Sequence, residues 1–144
     1  MAADGLTDDA VRGVLLAARR VAVVGASDRP GRASGGVFAF LLARGYDCVP
    51  VNPSLAGRAL HGVPATATLA GAAPLDLVDV FRRPEEAGAV VDEAIRLGAR
   101  AVWLQLGVVD RAAARRARAA GVACVMDRCP AIEWGRLGLP ARVA

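Results

Sequence analysis

Residues 21–37 read V-A-V-V-G-A-S-D-R-P-G-R-A-S-G-G-V, and this stretch decides the fold. A short apolar run ends in Gly25, which marks a buried strand stopped by a tight turn. Small residues, two arginines and a Pro-Gly pair follow. A helical run then begins, with Val37, Phe38, Leu41 and Leu42 at helical spacing. A strand that yields to such a loop and a helix offers backbone N–H groups and the positive end of a helix dipole to an anion. Gly25, Ala26 and Ser27 let a ligand approach the backbone closely. Arg29 and Arg32 add full charges with forked donors, and Ser34 adds a hydroxyl at the helix start. The loop is therefore expected to hold phosphate.

The alternation continues outward from this stretch. Helices are expected over residues 7–19, with Thr7 as N-cap, and over 34–44, closed by Gly45. Further helices are expected over 84–97, 110–120 and 131–136. Strands are expected over residues 21–25, 47–51, 75–81, 100–105 and 122–126. Residues 52–73 read as irregular, with one helical turn near Thr68. Strand and helix in turn imply an α/β fold: a five-stranded parallel sheet with helices on both faces and right-handed crossovers. Ligands of such sheets lie beyond the carboxyl ends of the strands. That rule selects residues 25–34, 52–54, 81–84, 105–109 and 127–129.

Composition narrows the function classes. The 144 residues are 55% hydrophobic and only 4% aromatic, which suits one domain with a core of Val, Leu and Ala. No segment approaches the ~18 consecutive apolar residues of a membrane span, and no signal-peptide pattern opens the chain, so a cytoplasmic protein is expected. All 18 basic residues are Arg, against 14 acidic ones. The densest basic segment, Arg111, Arg115, Arg116 and Arg118, has no aromatic neighbour, so it reads as a solvated helix face and not a nucleic-acid surface. Cys48, Cys124 and Cys129 form no C-x-x-C pair, and His61 is the single histidine. Neither a metal site nor a disulfide framework is expected.

Two phosphate-binding rivals fail on spacing. A dinucleotide fingerprint would need G-x-G-x-x-G and an acid after the second strand. Here Ala26-Ser27 separates Gly25 from the rest, and the second strand ends in Asn52-Pro53. A P-loop needs G-K-[ST], and the chain has no Lys.

Five motifs carry a resemblance: V-V-G-A-S (23–27), V-P-V-N-P (49–53), D-L-V-D-V-F-R-R-P-E-E (76–86), A-V-W-L-Q-L-G-V (101–108) and M-D-R-C (126–129). In this order and spacing they resemble the small bacterial CoA-binding domain proteins of the YccU type, which are similar to the CoA-binding N-terminal domain of succinyl-CoA synthetase α subunits. The resemblance spans residues 20–137. It implies a Rossmann-like domain there, preceded by an N-terminal helix in 1–19 and followed by a tail in 138–144. It implies CoA as the ligand, with the pyrophosphate on the loop from Gly25 to Ser34. The adenine and 3′-phosphate would lie near Asn52, Pro53, Phe81, Arg82, Arg83 and Pro84. The pantetheine arm would run toward residues 103–107. The synthetase domain has a lysine near the 3′-phosphate where this chain has Ser54, so Arg58, Arg82 or Arg83 is the expected substitute.

The remaining polar residues divide between site and scaffold. One of Arg82 and Arg83 is expected to meet the ligand and the other to pair with Glu85 or Glu86. Gln105, at a strand end, is a candidate for the pantetheine amides. Cys129 follows the fifth strand and could meet the CoA thiol. Asp76 and Asp79, three apart on a strand, point to opposite faces and cannot act as an acid/base pair; Asp79 is expected to cap a loop or pair with an arginine. Trp103, Cys48 and Cys124 read as core and His61 as surface. No catalytic set is visible, because the synthetase's phosphorylated histidine belongs to a second domain that this sequence lacks. The expected function is non-catalytic binding of CoA or acyl-CoA. The alternatives are a thiol- or thioester-active enzyme using Cys129, or an NAD(P)-binding protein. Small sheets often pair, which makes a homodimer plausible; neither nucleic acid nor membrane is an expected partner.

Overall fold

The computed structural model describes residues 2–140. Along the chain lie α1 (Asp8–Ala17), β1 (Arg20–Val24), α2 (Ala33–Ala43), β2 (Asp47–Val51), β3 (Ala59–Leu60), β4 (Val63–Pro64), β5 (Leu77–Val80), α3 (Pro84–Arg96), β6 (Ala101–Leu104), α4 (Arg111–Ala119), β7 (Ala123–Val125) and α5 (Pro130–Arg136). Thr7 caps α1 by accepting the Ala10 N–H at 3.2 Å. The segment expected to be irregular holds more order than its sequence suggests. It contains 3-10 turns at Pro53–Leu55 and Ala70–Ala72 and the small antiparallel ladder β3–β4. The Thr68 hydroxyl accepts from Gly71 N–H and so closes the second of these turns.

The five long strands form one parallel sheet in the order β2-β1-β5-β6-β7. Side chains alternate between its faces, as strand geometry requires. Ala22, Val24, Val78, Val80, Val102 and Leu104 face a core closed by α3 and α4. Val21, Val23, Leu77, Trp103 and Val125 face the opposite core, closed by α1, α2 and α5. The sheet is thus Rossmann-like, with helices on both faces. Each fully buried Leu or Val contributes about 1.5–3 kcal/mol of hydrophobic stabilisation, so two cores of this size hold the layers without many aromatics.

The strand order reverses between β1 and β5. The chain leaves β1 for α2 on one face and leaves β5 for α3 on the other, which opens a crevice at the carboxyl edge between them. Gly25 sits at this point with φ +84°, and a Cβ there would come within 2.1 Å of the Phe81 carbonyl oxygen. Its N–H donates to Val51 at 2.9 Å, while the Phe81 N–H donates to Val24 at 2.8 Å. The loops after β2, β1 and β5 are therefore tied to one another at the floor of the crevice.

The M-D-R-C segment fastens the far edge of the sheet to the N-terminal segment. Arg128 bonds the buried Asp4 carboxylate at 2.9 and 3.1 Å and Glu133 at 2.5 Å. Burial alone would raise the Asp4 carboxyl, but bonds from Arg128 and from the Leu6 and Met126 N–H groups outweigh it and hold the pKa below its ordinary value. The basic face of α4 is exposed, as the sequence suggested, and two of its arginines also make bonds to other segments. Arg118 reaches back to the Asp4 carbonyl at 2.7 Å, and Arg116 pairs with Asp92 at 2.8 Å.

Asp79 departs from expectation most. It neither caps a loop nor pairs with an arginine. It stands mid-strand in β5, between Val23 of β1 and Trp103 of β6 in register, with no exposed surface. Its Oδ1 accepts from Gln105 Nε2 at 2.6 Å, and its Oδ2 has no partner among the described residues. Burial pushes the carboxyl up to about 7, and the Gln105 bond lowers it only in part. Asp76, by contrast, accepts the Arg19 and Arg20 N–H groups at 3.0 Å each and stays below its ordinary pKa despite partial burial.

Two outcomes are expected. Gly25→Ala forces a methyl against the Phe81 backbone and strains a left-handed residue, which should cost about 2–4 kcal/mol in chemical denaturation; an unchanged midpoint would contradict the close approach. Asp79→Asn keeps the shape but removes the ionisation. Because the folded pKa of Asp79 lies above the unfolded value, the parent loses stability as pH rises from about 4 to 7. The variant should melt higher than the parent above pH 7, by an amount on the order of a few kcal/mol, and the gap should narrow as pH falls toward 4.

Candidate functional site

One cleft of about 700 Å³ lies at the carboxyl edge of the sheet. Its first wall is the loop after β1. Arg29 and Arg32 flank a Pro30-Gly31 turn in which the Arg32 N–H donates to the Arg29 carbonyl at 3.4 Å and Gly31 takes φ +82°. The turn brings both arginines to the mouth of α2. Neither forms an ion pair with the described residues. The Ser27 N–H donates to the Ser34 hydroxyl at 3.1 Å, and the Arg29 N–H donates to the Ser27 hydroxyl at 3.1 Å. The loop is thus held by its own side chains in a shape that faces the cleft.

The start of α2 differs from that of the other helices. No side chain caps it, and no acid sits in its first turn. Among the described helices, α1 and α4 have capping side chains, and α3 and α5 carry Glu in their first turns. The positive end of α2 is therefore uncompensated, with Arg29 and Arg32 beside it.

The loops after β2 and β5 form the second wall. Asn52 donates from Nδ2 to the Ala26 carbonyl at 2.9 Å and accepts the Ser54 N–H at 3.0 Å, locking the β2 loop against the β1 loop. Arg58 pairs with Asp28 at 3.1 Å. Arg83 turns to Glu86 at 2.8 Å and Glu85 at 3.5 Å, while Arg82 makes no ion pair with the described residues. Arg83 is thus the member of the Arg82-Arg83 pair that meets Glu85 and Glu86, and Arg82 is left facing the cleft.

The third wall is chemically different. Gln105, Leu106, Gly107 and Val108 follow β6, and Cys129 follows β7. None is charged. Leu106 is 57% exposed, whereas Gln105 and Cys129 are nearly buried. Asp127 holds this wall from below: its Oδ1 accepts the Gly107 N–H at 2.7 Å. The Trp103 indole N–H donates to the Arg128 carbonyl at 2.8 Å, so Trp103 belongs to the core and supports Cys129 from behind. Strand order thus grades the cleft, from cationic over β2, β1 and β5 to neutral over β6 and β7.

Most residues expected at the site border this cleft: Gly25, Ser27, Arg29, Arg32, Ser34, Asn52, Phe81, Arg82, Arg83, Pro84, Gln105 and Cys129. Ala26 and Pro53 do not. Ala26 is fully buried behind the loop, and Pro53 opens a 3-10 turn. Sequence reasoning did not single out Asp28, Val37, Leu106 and Val108, which also line it. Leu106 and Val108 fall in a segment the strand-end rule had selected, but apolar residues there give no chemical signal. His61 is exposed and lies against Phe38, its ring centroid 6.0 Å away. Cys48 and Cys124 are buried, their thiols pushed up to about 12 and about 11, chiefly by burial. Among the described residues there is no cluster of metal-ligating side chains and no helix long and apolar enough to cross a membrane.

Known proteins share this architecture. The chain is similar to the uncharacterized protein YneT of Bacillus subtilis (strain 168), 38% identical over 83% of this chain and 87% of that one. A hypothetical protein from Pyrococcus horikoshii OT3 superposes with a TM-score of 0.87 at 35% identity, covering 95% of this chain and 96% of the other. A Thermus thermophilus structure gives 0.85 at 35% identity over 92% and 99%. The CoA binding domain family matches residues 19–135, from the residue before β1 into α5 and across every wall of the cleft, and the chain belongs to that family.

Proposed function

We propose that this protein binds coenzyme A or an acyl-CoA in the graded cleft and does so without catalysing a reaction. The observation that carries this reading is the uncompensated start of α2 with the unpaired Arg29 and Arg32 beside it. A diphosphate would take N–H donors from the helix mouth and the small-residue loop, and charge from the two arginines. Arg82 and Arg58 line the cleft beside the β5 and β2 loops and would serve the 3′-phosphate where the related synthetase domain uses lysine. The neutral wall over β6 and β7 suits an amide-bearing arm that ends in a thiol or thioester. The donors present thus fit the charge pattern of CoA: anionic at one end, neutral at the other.

The same residues support a binding role and not a catalytic one. Among the described residues lining the cleft there is no histidine, and its one lining carboxylate, Asp28, is held by Arg58. Asp79 lies beneath the surface and is engaged by Gln105. A general acid or base must reach the proton it moves; Asp79 does not, and Asp28 faces the cleft with its carboxylate engaged by Arg58.

Calorimetric titration of the purified protein with CoA, dephospho-CoA and NADP tests the reading. CoA should bind, dephospho-CoA should bind more weakly, and Arg32→Ala should weaken CoA binding by about tenfold or more, as expected for a lost charge-assisted bond. Binding of NADP without CoA would overturn the reading.

A further inference from the structure

Among the described residues, Asp79 is the one buried carboxylate without a charged partner, and it lies under the neutral end of the cleft. Gln105 joins the two. Its Nε2 donates inward to Asp79 Oδ1 at 2.6 Å, and the residue lines the cleft. An amide has one donor end and one acceptor end. With its N–H turned inward, the Gln105 carbonyl Oε1, to which no described residue donates, is left on the cleft side.

We propose that Asp79 and Gln105 act together to read the neutral arm of the ligand: Asp79 holds the Gln105 amide with its N–H inward, so that Oε1 accepts a hydrogen bond from an amide N–H of the ligand. Gln105 is the specificity-determining residue and Asp79 the positioning residue behind it. This deepens the CoA reading and rests on it, since the pantetheine arm supplies such N–H groups.

The arrangement has a second state. If Asp79 takes a proton from solvent, its O–H donates to Gln105 Oε1 once the amide has turned by half a rotation. The NH₂ group then faces the cleft and offers a donor where an acceptor stood. With the Asp79 O–H turned to Gln105, the cleft floor presents a donor in place of an acceptor. Burial pushes this carboxyl up to about 7, so both states are accessible near neutral pH.

The surroundings leave Asp79 to titrate largely by itself. Beside it on the sheet are Val23 and Trp103, and on β2 the Cys48 thiol, which feels the Asp79 charge but is pushed up mainly by burial. From α2 the nearest polar group on this face is Ser34, bonded to Ser27. α1 presents Val11 and Leu15, and its Asp8 pairs with Arg136 and its Asp9 with Arg12. On the α5 side Cys129 lies at the cleft, while Arg128 donates to both Glu133 and Asp4. No arginine contributes to holding the Asp79 charge.

Two measurements decide the matter. In the ligand-free protein, the ¹³C carboxyl resonance of Asp79 and the side-chain ¹⁵N resonance of Gln105 should move together, with a midpoint near pH 7. A Gln105 amide that ignores the Asp79 titration overturns the proposal whether or not CoA binds, and an Asp79 that titrates near 4 overturns the second state at neutral pH. In the second measurement, CoA is titrated calorimetrically at pH 6 and pH 8 into the parent and Asp79→Asn. The CoA phosphate titrates in this range too, so the comparison between the proteins removes its contribution. The parent should tighten from pH 6 to pH 8 by about tenfold more than the variant, the factor set by a carboxyl of pKa about 7 that must be ionised to bind. Equal pH profiles, or tighter parental binding at pH 6, would overturn the proposal while leaving CoA binding intact. Absence of CoA binding at either pH would strike the functional reading instead, and the resonance titration would still decide the Asp79–Gln105 couple.

Discussion

At Gly25 two strand ends come so close that a single methyl group would overlap the Phe81 carbonyl oxygen. The rest of the structure depends on this approach. It lets β1 and β5 run side by side to their carboxyl ends while the chain departs in opposite directions, to α2 below and α3 above. The crevice exists because those departures diverge. The Gly25 N–H, bonded to Val51, also draws the β2 loop into the same floor. Three of the five loops that surround the cleft are positioned by backbone bonds within a few residues of this contact, before any side chain is considered.

Charge is then distributed by strand order. The loops after β1, β2 and β5 bring arginines to the cleft, and those after β6 and β7 bring none to its lining. Exposed ion pairs engage Arg58 and Arg83 but leave Arg29, Arg32 and Arg82 uncompensated. Exposed pairs of this kind add little stability, typically under about 1 kcal/mol, so the engaged arginines remain available to rearrange. The neutral side is held differently. Arg128 and Trp103 bind it to the N-terminal segment and the sheet through largely buried bonds, and Asp127 holds Gly107 nearer the surface. Removing one partner from such a buried pair typically costs about 3–5 kcal/mol. The cationic side is therefore the adaptable one and the neutral side the rigid one.

Much of this was legible in the sequence because the signals were local. Gly25, the Pro-Gly turn and the apolar spacing of α2 each act within a few residues, and the strand-end rule turned them into a site. The small ladder of β3 and β4 was not legible: two-residue strands leave no periodicity to detect. Asp79 was misread for another reason. Its position in D-L-V-D-V marked it as polar within a buried strand, but its partner is 26 residues away. Only the register of β5 against β6, which sets Asp79 beside Trp103 and so two residues from Gln105, reveals the pair. The M-D-R-C motif was noticed for its cysteine, while its aspartate and arginine carry the architecture.

A buried carboxylate with an orphaned oxygen lowers stability at neutral pH, and an asparagine of the same shape would avoid that cost. Sequences consistent at every other level tend to break a local rule where function requires it. Here the violation sits one hydrogen bond from the cleft, on the side where the donors are neutral and orientation alone can discriminate. A glutamine free to turn could show either end of its amide to a ligand. A glutamine held by a carboxylate cannot, because the carboxylate fixes which end it shows.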